Sequence, residues 1–446
     1  MLFDEALAYL LSLGHETLNI KLGLKNTEVL LEALGNPHKD FPVVQIVGTN
    51  GKGSIAMMLE SICRAAGVRV GLFNSPHLGS IAERIRVNGE QVSDADFAQF
   101  LGVVKEVAAE LLRQRRLDSL PSVFEHVTVT ALLTFRAARV DLAILEAGLG
   151  GCRDSTSAAE AQIVALTPIA LDHEEYLGQS VADIAAEKAA IIQPGVTAIV
   201  APQSEAARAV ILRQCHRSQV VPKLITPAAE NVVSPSADGH ISFSLETERG
   251  NYDVLRLGLR GRHQFANAAT AIALAETLGE RGFAISPDAI VSGLESATHP
   301  GRLEVWAGEP QMLFDGAHNP AAARALREYL DEFVAAPITM IFAAMRDKAL
   351  NEMTAILFPA ALELILTQIE NPRAASIELM QSILPQSLDS RIHCASSVAD
   401  ALRIATEVTP PDGLVCVTGS LYLIGEVQQS VREGLDAQES RKLGAL

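Results

Sequence analysis

The sequence predicts two α/β domains in tandem, and three observations carry that prediction. Nearly continuous apolar runs of strand length recur from Phe41 onward, helical stretches separate them, and the alternation breaks at a Pro- and Gly-containing segment near Thr298 before it resumes. Apolar strands alternating with helices indicate sheets that are largely parallel and covered on both faces, since a strand buried on both sides has no polar face to present. At 446 residues the chain is also too long for one ordinary core.

The elements follow in order. The N-terminal run MLFDEALAYLLSLGHE has early acids and no basic region before its short apolar stretch, so it reads as an amphipathic helix and not as a signal peptide. FPVVQIV, VRVGLFNS, VDLAILEAG, AQIVALTPI and VTAIVAP are the expected strands of the first sheet. Residues 219–257 contain the alternating run HISFSLE and the turn residues SPSADG, which suggest a small antiparallel addition. LRGRHQFANAATAIALAETLG has helical periodicity. After THPGRLEV a second series runs LEVWA, QMLFDGA, TMIFAAM, LELILTQ, RIHCASS and GLVCVTGS, with PAAARALREYLDEF and SVADALRIATEV as intervening helices. The expected domains are residues 1–296 and a smaller, Rossmann-like α/β domain at 297–446.

Composition bounds the function. A formal charge of −17 argues against a broad nucleic-acid surface, because a polyanion is repelled at long range. With 48% hydrophobic and 20% charged residues the chain has material for a sizeable interior. Cys63, Cys152, Cys215, Cys394 and Cys416 are odd in number and form no CxxC pair, which suits a reducing cytoplasm. No stretch approaches the roughly 18–20 apolar residues that span a bilayer. The expectation is a cytoplasmic monomer without nucleic-acid or membrane partners.

Chemistry concentrates first in VVQIVGTNGKGSIAMMLESICRAAG, a buried strand, a glycine turn and an amphipathic helix with Lys52 and Ser54 at its entrance. This order aims backbone N–H groups and the helix dipole at a phosphate, while Lys52 adds charge and Ser54 offers a ligand for Mg²⁺. The first domain is therefore expected to be P-loop ATPase-like. The spacing departs from GxxxxGK[ST], since Gly48 lies three residues before Gly51 and Gly53 separates Lys52 from Ser54. The plainer alternative is a glycine turn after a strand.

The string GTNGKGS resembles the nucleotide loop of the Mur ligase superfamily, most closely its folylpolyglutamate synthase and dihydrofolate synthase branch. Further strings of that branch recur in order: LGL, LLEALGNP, SPHL, ERIRVNGE, ILEAGLGG, ALDHEEYLG, EKAAI, GRHQFANAA, HPGRLE, FDGAHNP, DKA and VTGSLYLIGEV, together covering residues 20–426. The resemblance implies an ATP- and folate-binding domain followed by a glutamate-ligase domain. It implies an ATP-dependent amide ligase that adds L-glutamate to dihydropteroate or reduced folates through an acyl phosphate, releasing ADP and phosphate.

It also assigns roles to residues that alone would be read more blandly. Glu146 ends an apolar strand, and His173 follows another; a cap and a loop histidine are the plain readings, but with Ser54 the resemblance makes them ligands of Mg²⁺, as two ions. Lys188, alone a solvated helix lysine, becomes a candidate for carbamylation. Gly51, Lys52, Gly53, Ser54, Asn267, Arg302, Asp315 and His318 become nucleotide contacts, with Lys52, Lys188 and Arg302 taking part in catalysis. At a domain junction, the guanidinium of Arg302 suits a phosphate clamp that acts on closure. The acceptor is assigned to Lys21, Leu22, Gly23 and Leu24, to Ser122, Val123, Phe124 and Glu125, and to Arg153, Asp154 and Ser155. Phe124, by itself a core residue, would stack on a flat pterin.

Departures from the pattern spare the proposed ATP and metal residues and fall partly in the acceptor-side loop. The usual GGRxDxTN is GGCRDSTS, with Cys152 for Arg and Ser157 for Asn; DKD is DKA at Ala349, EKAGI is EKAAI at Ala190, and the Trp before PGR is His299. Two other readings stand beside the folate ligase: a paralogue acting on another carboxylate, and a nucleotide-binding regulator without turnover. His77 and His318 are candidates for the base that deprotonates the incoming amine.

Overall fold

The computed structural model describes residues 1–14, 23–227, 232–384, 388 and 391–443. The first sheet is built around β1 (Val43–Val47), whose five residues are all buried. Its other strands are β2 (Val70–Phe73), β3 (Ile85–Val87), β4 (Glu90–Gln91), β5 (Leu142–Glu146), β6 (Ile163–Leu166), β7 (Thr197–Val200) and β8 (Lys223–Leu224). They lie in the order β4-β3-β2-β5-β1-β6-β7-β8. All neighbours are parallel except at the β2–β3–β4 edge. That edge is a hairpin turned by Asn88 and Gly89, both at positive φ, as a two-residue turn requires.

Alternation along β1 splits the interior into layers. Val44 and Ile46 face the helices Lys52–Ala65, Gln264–Glu280 and Pro287–Ser296. Val43 faces the layer containing the helices Phe3–Ser12, Lys25–Ala33, Asp94–Arg113 and Val123–Ala138. Gln45 interrupts the apolar run because its amide donates to Thr156 Oγ1 at 2.6 Å and Ser157 Oγ at 2.9 Å, tying the central strand to the loop after β5.

The expected small antiparallel addition is a separate sheet, β9 (Val232–Pro235), β10 (Ile241–Glu246) and β11 (Asn251–Val254), in the order β11-β10-β9. It packs on the first layer through Ile241, Phe243, Tyr252 and Val254.

The second large sheet contains β12 (Glu304–Trp306), β13 (Gln311–Asp315), β14 (Ile338–Phe342), β15 (Glu363–Leu366), β16 (Arg391–Cys394) and β17 (Leu414–Thr418). Their order is β12-β13-β17-β14-β15-β16, and β12 alone is antiparallel. Successive residues again face opposite layers: Met340 packs with the helices Pro320–Phe333 and Leu350–Leu357, Ile341 with the helices Val398–Val408 and Leu421–Leu443. Among the described residues no helix is long and apolar enough to cross a membrane.

Both sheets place their switch points at one crevice. In the first, β1 lies between β5 and β6, so the chain leaves it toward opposite sides and the carboxyl ends of the three strands open a cleft. In the second, the ends of β13, β17 and β14 do the same, with Asp315 opposite Thr418.

Candidate active site

The two crevices face each other across a cavity of about 580 Å³ lined by residues of both sheets' loops. Its floor is the turn after β1. Gly51 has φ +86°, and a Cβ there would sit 2.6 Å from Asn267 Oδ1, so only glycine fits. The helix Lys52–Ala65 that follows has Gly51 as its N-cap and no capping side chain. Seven other α-helices among the described residues begin with a serine that takes up an N–H, as Ser93, Ser122 and Ser204 do. The uncapped N–H groups at the cavity are what an anion needs. Lys52 Nζ folds back to the Thr49 carbonyl at 3.2 Å, and Thr49 and Asn50 donate backbone N–H groups to Pro168 O, fixing the loop to the end of β6.

Glu146 ends β5 beside this loop, its Oε2 accepting the Ser75 N–H at 3.3 Å. Burial pushes its carboxyl up, against Lys52, the Ser75 hydrogen bond, Arg302 and Arg84. A buried carboxylate facing cations and a phosphate loop is suited to a metal ion. Ser54, also buried, contributes its hydroxyl, and His173 lines the same cavity. His173 adopts φ +51° at the start of the short helix Glu174–Leu177. Burial, then Lys348, pushes its imidazole down to about 3, so it stays neutral and able to bind metal. Among the described residues no three His, Cys, Asp or Glu side chains form a ready cage. A hydroxyl, one carboxylate and one imidazole instead fit a hard cation that takes its remaining oxygens from phosphate and water.

Lys188 overturns its plain reading as a solvated lysine. It is buried in the helix Val181–Ala189, on the same stripe as Ile184, Ala185 and Ala189. Its place four residues after Ile184 was the available signal. Burial, then Lys52, pushes its amine down to about 7, opposed by Asp154, Asp172 and Glu187.

From the second sheet, Arg302, Asp315 and His318 reach the cavity. Asp315 accepts the N–H groups of Leu303 and Ala317, both at 3.0 Å, so its carboxylate holds the backbone of the cavity wall. His318 Nδ1 lies 2.8 Å from Gly316 O, and its Nε2 lies 3.5 Å from Asp172. His77, the other candidate base, takes a hydrogen bond from Arg84 Nε at 3.0 Å. Asn267 donates to Gln264 Oε1 at 2.8 Å.

At the acceptor end many polar groups are engaged locally. Ser122 and Glu125 close a reciprocal capping box at the start of the helix Val123–Ala138. Asp154 accepts from the N–H groups of Leu149 and Thr156 and from Thr156 Oγ1. Ser155 Oγ meets Thr128 Oγ1 at 3.0 Å. Arg153 forms a bidentate pair with Glu187 at 3.0 and 2.7 Å. Phe124 lines the cavity and packs on Phe73 with ring centroids 5.7 Å apart. Val123 and the partly buried Leu24 pack into the layer beneath, where the helix turns Val123 inward. Gly23 donates its N–H to Arg153 O. Lys21 and Leu22 lie outside the described residues.

Several cavity residues had no role assigned from sequence. Arg84 is almost fully buried beside Glu146, and His263, pushed down to about 4 by burial and then Arg302, adjoins Gln264. Asp172 and Lys348 pair across the cavity, both largely buried, and Asn50 and Asn319 exchange amide hydrogen bonds between the two sheets' loops. Burial at Asp172 favours the neutral acid, but His318, Lys348 and His173 outweigh it and hold the carboxyl well below the usual range. Their strings were recognisable, but no local period marks a pair 176 residues apart.

Comparison with known proteins agrees with this architecture. Residues 46–275 match the Mur ligase middle domain, and residues 301–421 match the Mur ligase glutamate ligase domain. A probable bifunctional folylpolyglutamate synthase/dihydropteroate synthase of Halobacterium salinarum is 35% identical over 96% of this chain and 51% of its own length. The chain thus spans about half the length of the first curated relatives it matches. A Bacillus subtilis dihydrofolate synthase/folylpolyglutamate synthase is 32% identical over 94% of this chain and 97% of its own length. The Mycobacterium tuberculosis folylpolyglutamate synthase structure complexed with ADP superposes with a TM-score of 0.86 at 29% identity, covering 95% of this chain and 98% of that one. With both Mur ligase domains matched in order and a full-length relative above 30% identity, the chain belongs to the Mur ligase family, in its folylpolyglutamate synthase and dihydrofolate synthase branch.

Proposed function

We propose that this chain is an ATP-dependent carboxylate–amine ligase that adds L-glutamate to dihydropteroate or a reduced folate, releasing ADP and phosphate. One observation carries the reading: a single cavity is lined by an uncapped helix entrance with Lys52, by the aromatic ring of Phe124 and, from the second sheet's side, by Arg302. Residues 1–296 would bind ATP and the acceptor, and residues 297–446 would complete the site for glutamate. The cellular setting we propose is a cytoplasmic monomer without nucleic-acid or membrane partners.

A carboxylate resists direct attack by an amine. Its oxygen therefore attacks the γ-phosphorus of ATP, the bond to the β–γ bridging oxygen breaks, and ADP leaves an acyl phosphate. Lys52 and Arg302 stabilise charge on the phosphoryl oxygens as they move. Gly51, Gly53 and Asn267 shape the loop that holds the polyphosphate. Mg²⁺, held as two ions by Ser54, Glu146 and His173, would neutralise further charge on those oxygens. The glutamate amine then attacks the acyl carbon and inorganic phosphate departs, leaving the amide. The amine of Lys188, pushed down to about 7, is partly neutral at physiological pH and can add to CO₂, losing a proton and becoming a carbamate anion that faces Lys52. Asp315 and His318 would fix the wall around the nucleotide.

Purified protein with Mg·ATP, L-glutamate and either dihydropteroate or a reduced folate tests the reading by nucleotide analysis and product mass. ADP with a product heavier by one glutamyl residue is expected. AMP as the nucleotide product would exclude the acyl phosphate, and turnover with neither acceptor would exclude the folate assignment. A second reading, ligation to a non-folate carboxylate, draws on the acceptor loop, where Cys152 stands in place of Arg and Arg153 is engaged by Glu187.

A further inference from the structure

The Ser54 hydroxyl belongs to a chain of side chains whose donors and acceptors can be assigned one after another. Asn267 Nδ2 donates to Gln264 Oε1 at 2.8 Å, which turns the Gln264 amide nitrogen the other way. That nitrogen reaches His263 Nε2 at 3.1 Å and Ser54 Oγ at 3.4 Å. Ser54 Oγ accepts from Gln264 with one lone pair, so when its second lone pair serves a cation its proton can go only to its remaining partner, His299 Nδ1, 3.2 Å away. His299 is then an acceptor at Nδ1 and carries its proton on Nε2.

The imidazole is held tightly in this place. A Cβ on Gly53 would lie 2.8 Å from His299 Cε1, 3.1 Å from its Nε2 and 3.3 Å from Glu146 Oε2. The ring and the carboxylate therefore both close on the space beside Gly53, and His299 itself lines the cavity. The relay connects the helix Gln264–Glu280, the phosphate loop and the segment that leads into β12.

A serine hydroxyl has one proton and two lone pairs, and only a lone pair can face a cation. We infer that His299 is a positioning residue: it takes the Ser54 proton and so turns an oxygen lone pair toward the divalent cation that accompanies the polyphosphate. This rests on the proposed role of Ser54 as a cation ligand. Outer partners of this kind orient a ligand and raise its basicity, and losing one typically weakens metal binding by about 10–100-fold. The Trp usual at this position in the branch presents only an indole N–H and could not accept the proton.

The test compares the near-isosteric variants His299→Leu and His299→Asn with Ser54→Ala and the double variant Ser54→Ala/His299→Leu, all in the full chain. Mn²⁺ affinity is read from the electron paramagnetic resonance of the free ion at saturating ADP, and metal-free ADP affinity by calorimetry. H299L should weaken Mn²⁺ by about tenfold with metal-free ADP binding intact. H299N, whose Oδ1 supplies an acceptor near the Nδ1 position, should recover most of that loss. In the S54A background H299L should add nothing, because its effect passes through Ser54. The inference is overturned if H299L leaves Mn²⁺ binding unchanged, if H299N is as weak as H299L, or if H299L costs the same with Ser54 absent. It is also overturned if metal-free ADP binding falls in parallel. Unchanged Mn²⁺ binding in S54A would instead remove the cation role of Ser54 on which the inference stands, a result distinct from all the others.

Discussion

The loop after β1 with Lys52, proposed to hold phosphate, and the loop after β5 with Arg153 and Asp154, proposed to hold the acceptor, use their charged groups differently. At the phosphate end Lys52 makes no ion pair among the described residues, its ammonium meeting only the Thr49 carbonyl, and Glu146 accepts a backbone N–H from Ser75. At the acceptor end Asp154 has three donors within its own loop, and Arg153 is clamped by both oxygens of Glu187. One end holds charge in readiness for a ligand, while the other has consumed its charge in fixing a shape. Substitutions at the first should therefore remove turnover and leave stability alone, whereas substitutions at the second should reach stability first.

The largest effect is expected at Lys52. Lys52→Met should lower kcat by about 10²–10³-fold, the range for losing one donor to a developing oxyanion. The midpoint of thermal unfolding should stay level or rise, because no native ion pair is lost. A variant that keeps its turnover, or that unfolds several degrees earlier, would erase the contrast between the two ends.

Asp154→Asn is the counterpart. It converts an acceptor of three hydrogen bonds into a group that must turn an NH₂ toward donors, and should destabilise the fold by about 1–3 kcal/mol. Urea unfolding would read that loss in the absence of any substrate. Full stability with a selective rise in acceptor KM would return Asp154 to the acceptor-binding role that the resemblance implies.

Much of this contrast was hidden in the sequence for physical reasons. Strand-length apolar runs and GTNGKGS made the two sheets and the phosphate loop legible, because strand period and turn chemistry are local. The turn Asn88-Gly89 was equally local and marks the antiparallel edge of the first sheet. The burial of Lys188 had a local signal in its spacing from Ile184, but residue type alone reads it as solvated. The pair of Asp172 with Lys348 and the contact of Ser54 with His299 depend on how the two sheets meet, and nothing in either segment specifies that. The burial of Arg84 and the internal satisfaction of Asp154 depend likewise on surroundings assembled from distant strands.

Lys188 sharpens the comparison because it feels the charges of both loops, Lys52 lowering its pKa and Asp154 raising it. CO₂ adds only to its neutral amine. With the amine lowered to about 7, that form predominates above this pH, and below it falls tenfold for each unit. A carbamate signal from ¹³C-labelled bicarbonate should therefore be strong at pH 8, weak at pH 6 and missing in Lys188→Met. An ordinary lysine, neutral only near pH 10, would give little signal at either pH and would count against a carbamylated residue in the site.

The smallest effect is expected at Arg153. Its bidentate pair with Glu187 has ideal geometry, but the Arg153 side chain is 50% exposed, and such pairs contribute about 0–1 kcal/mol. Arg153→Met should accordingly shift urea unfolding by no more than that amount. It would free Glu187, whose charge adjoins Lys188, so the apparent pKa for carbamate formation should rise as the unpaired carboxylate favours the protonated amine. An unchanged carbamate profile together with a large rise in acceptor KM would give Arg153 a direct part in holding the acceptor. The clamp would then open in the working enzyme, and the acceptor end would keep charge in reserve just as the phosphate end does.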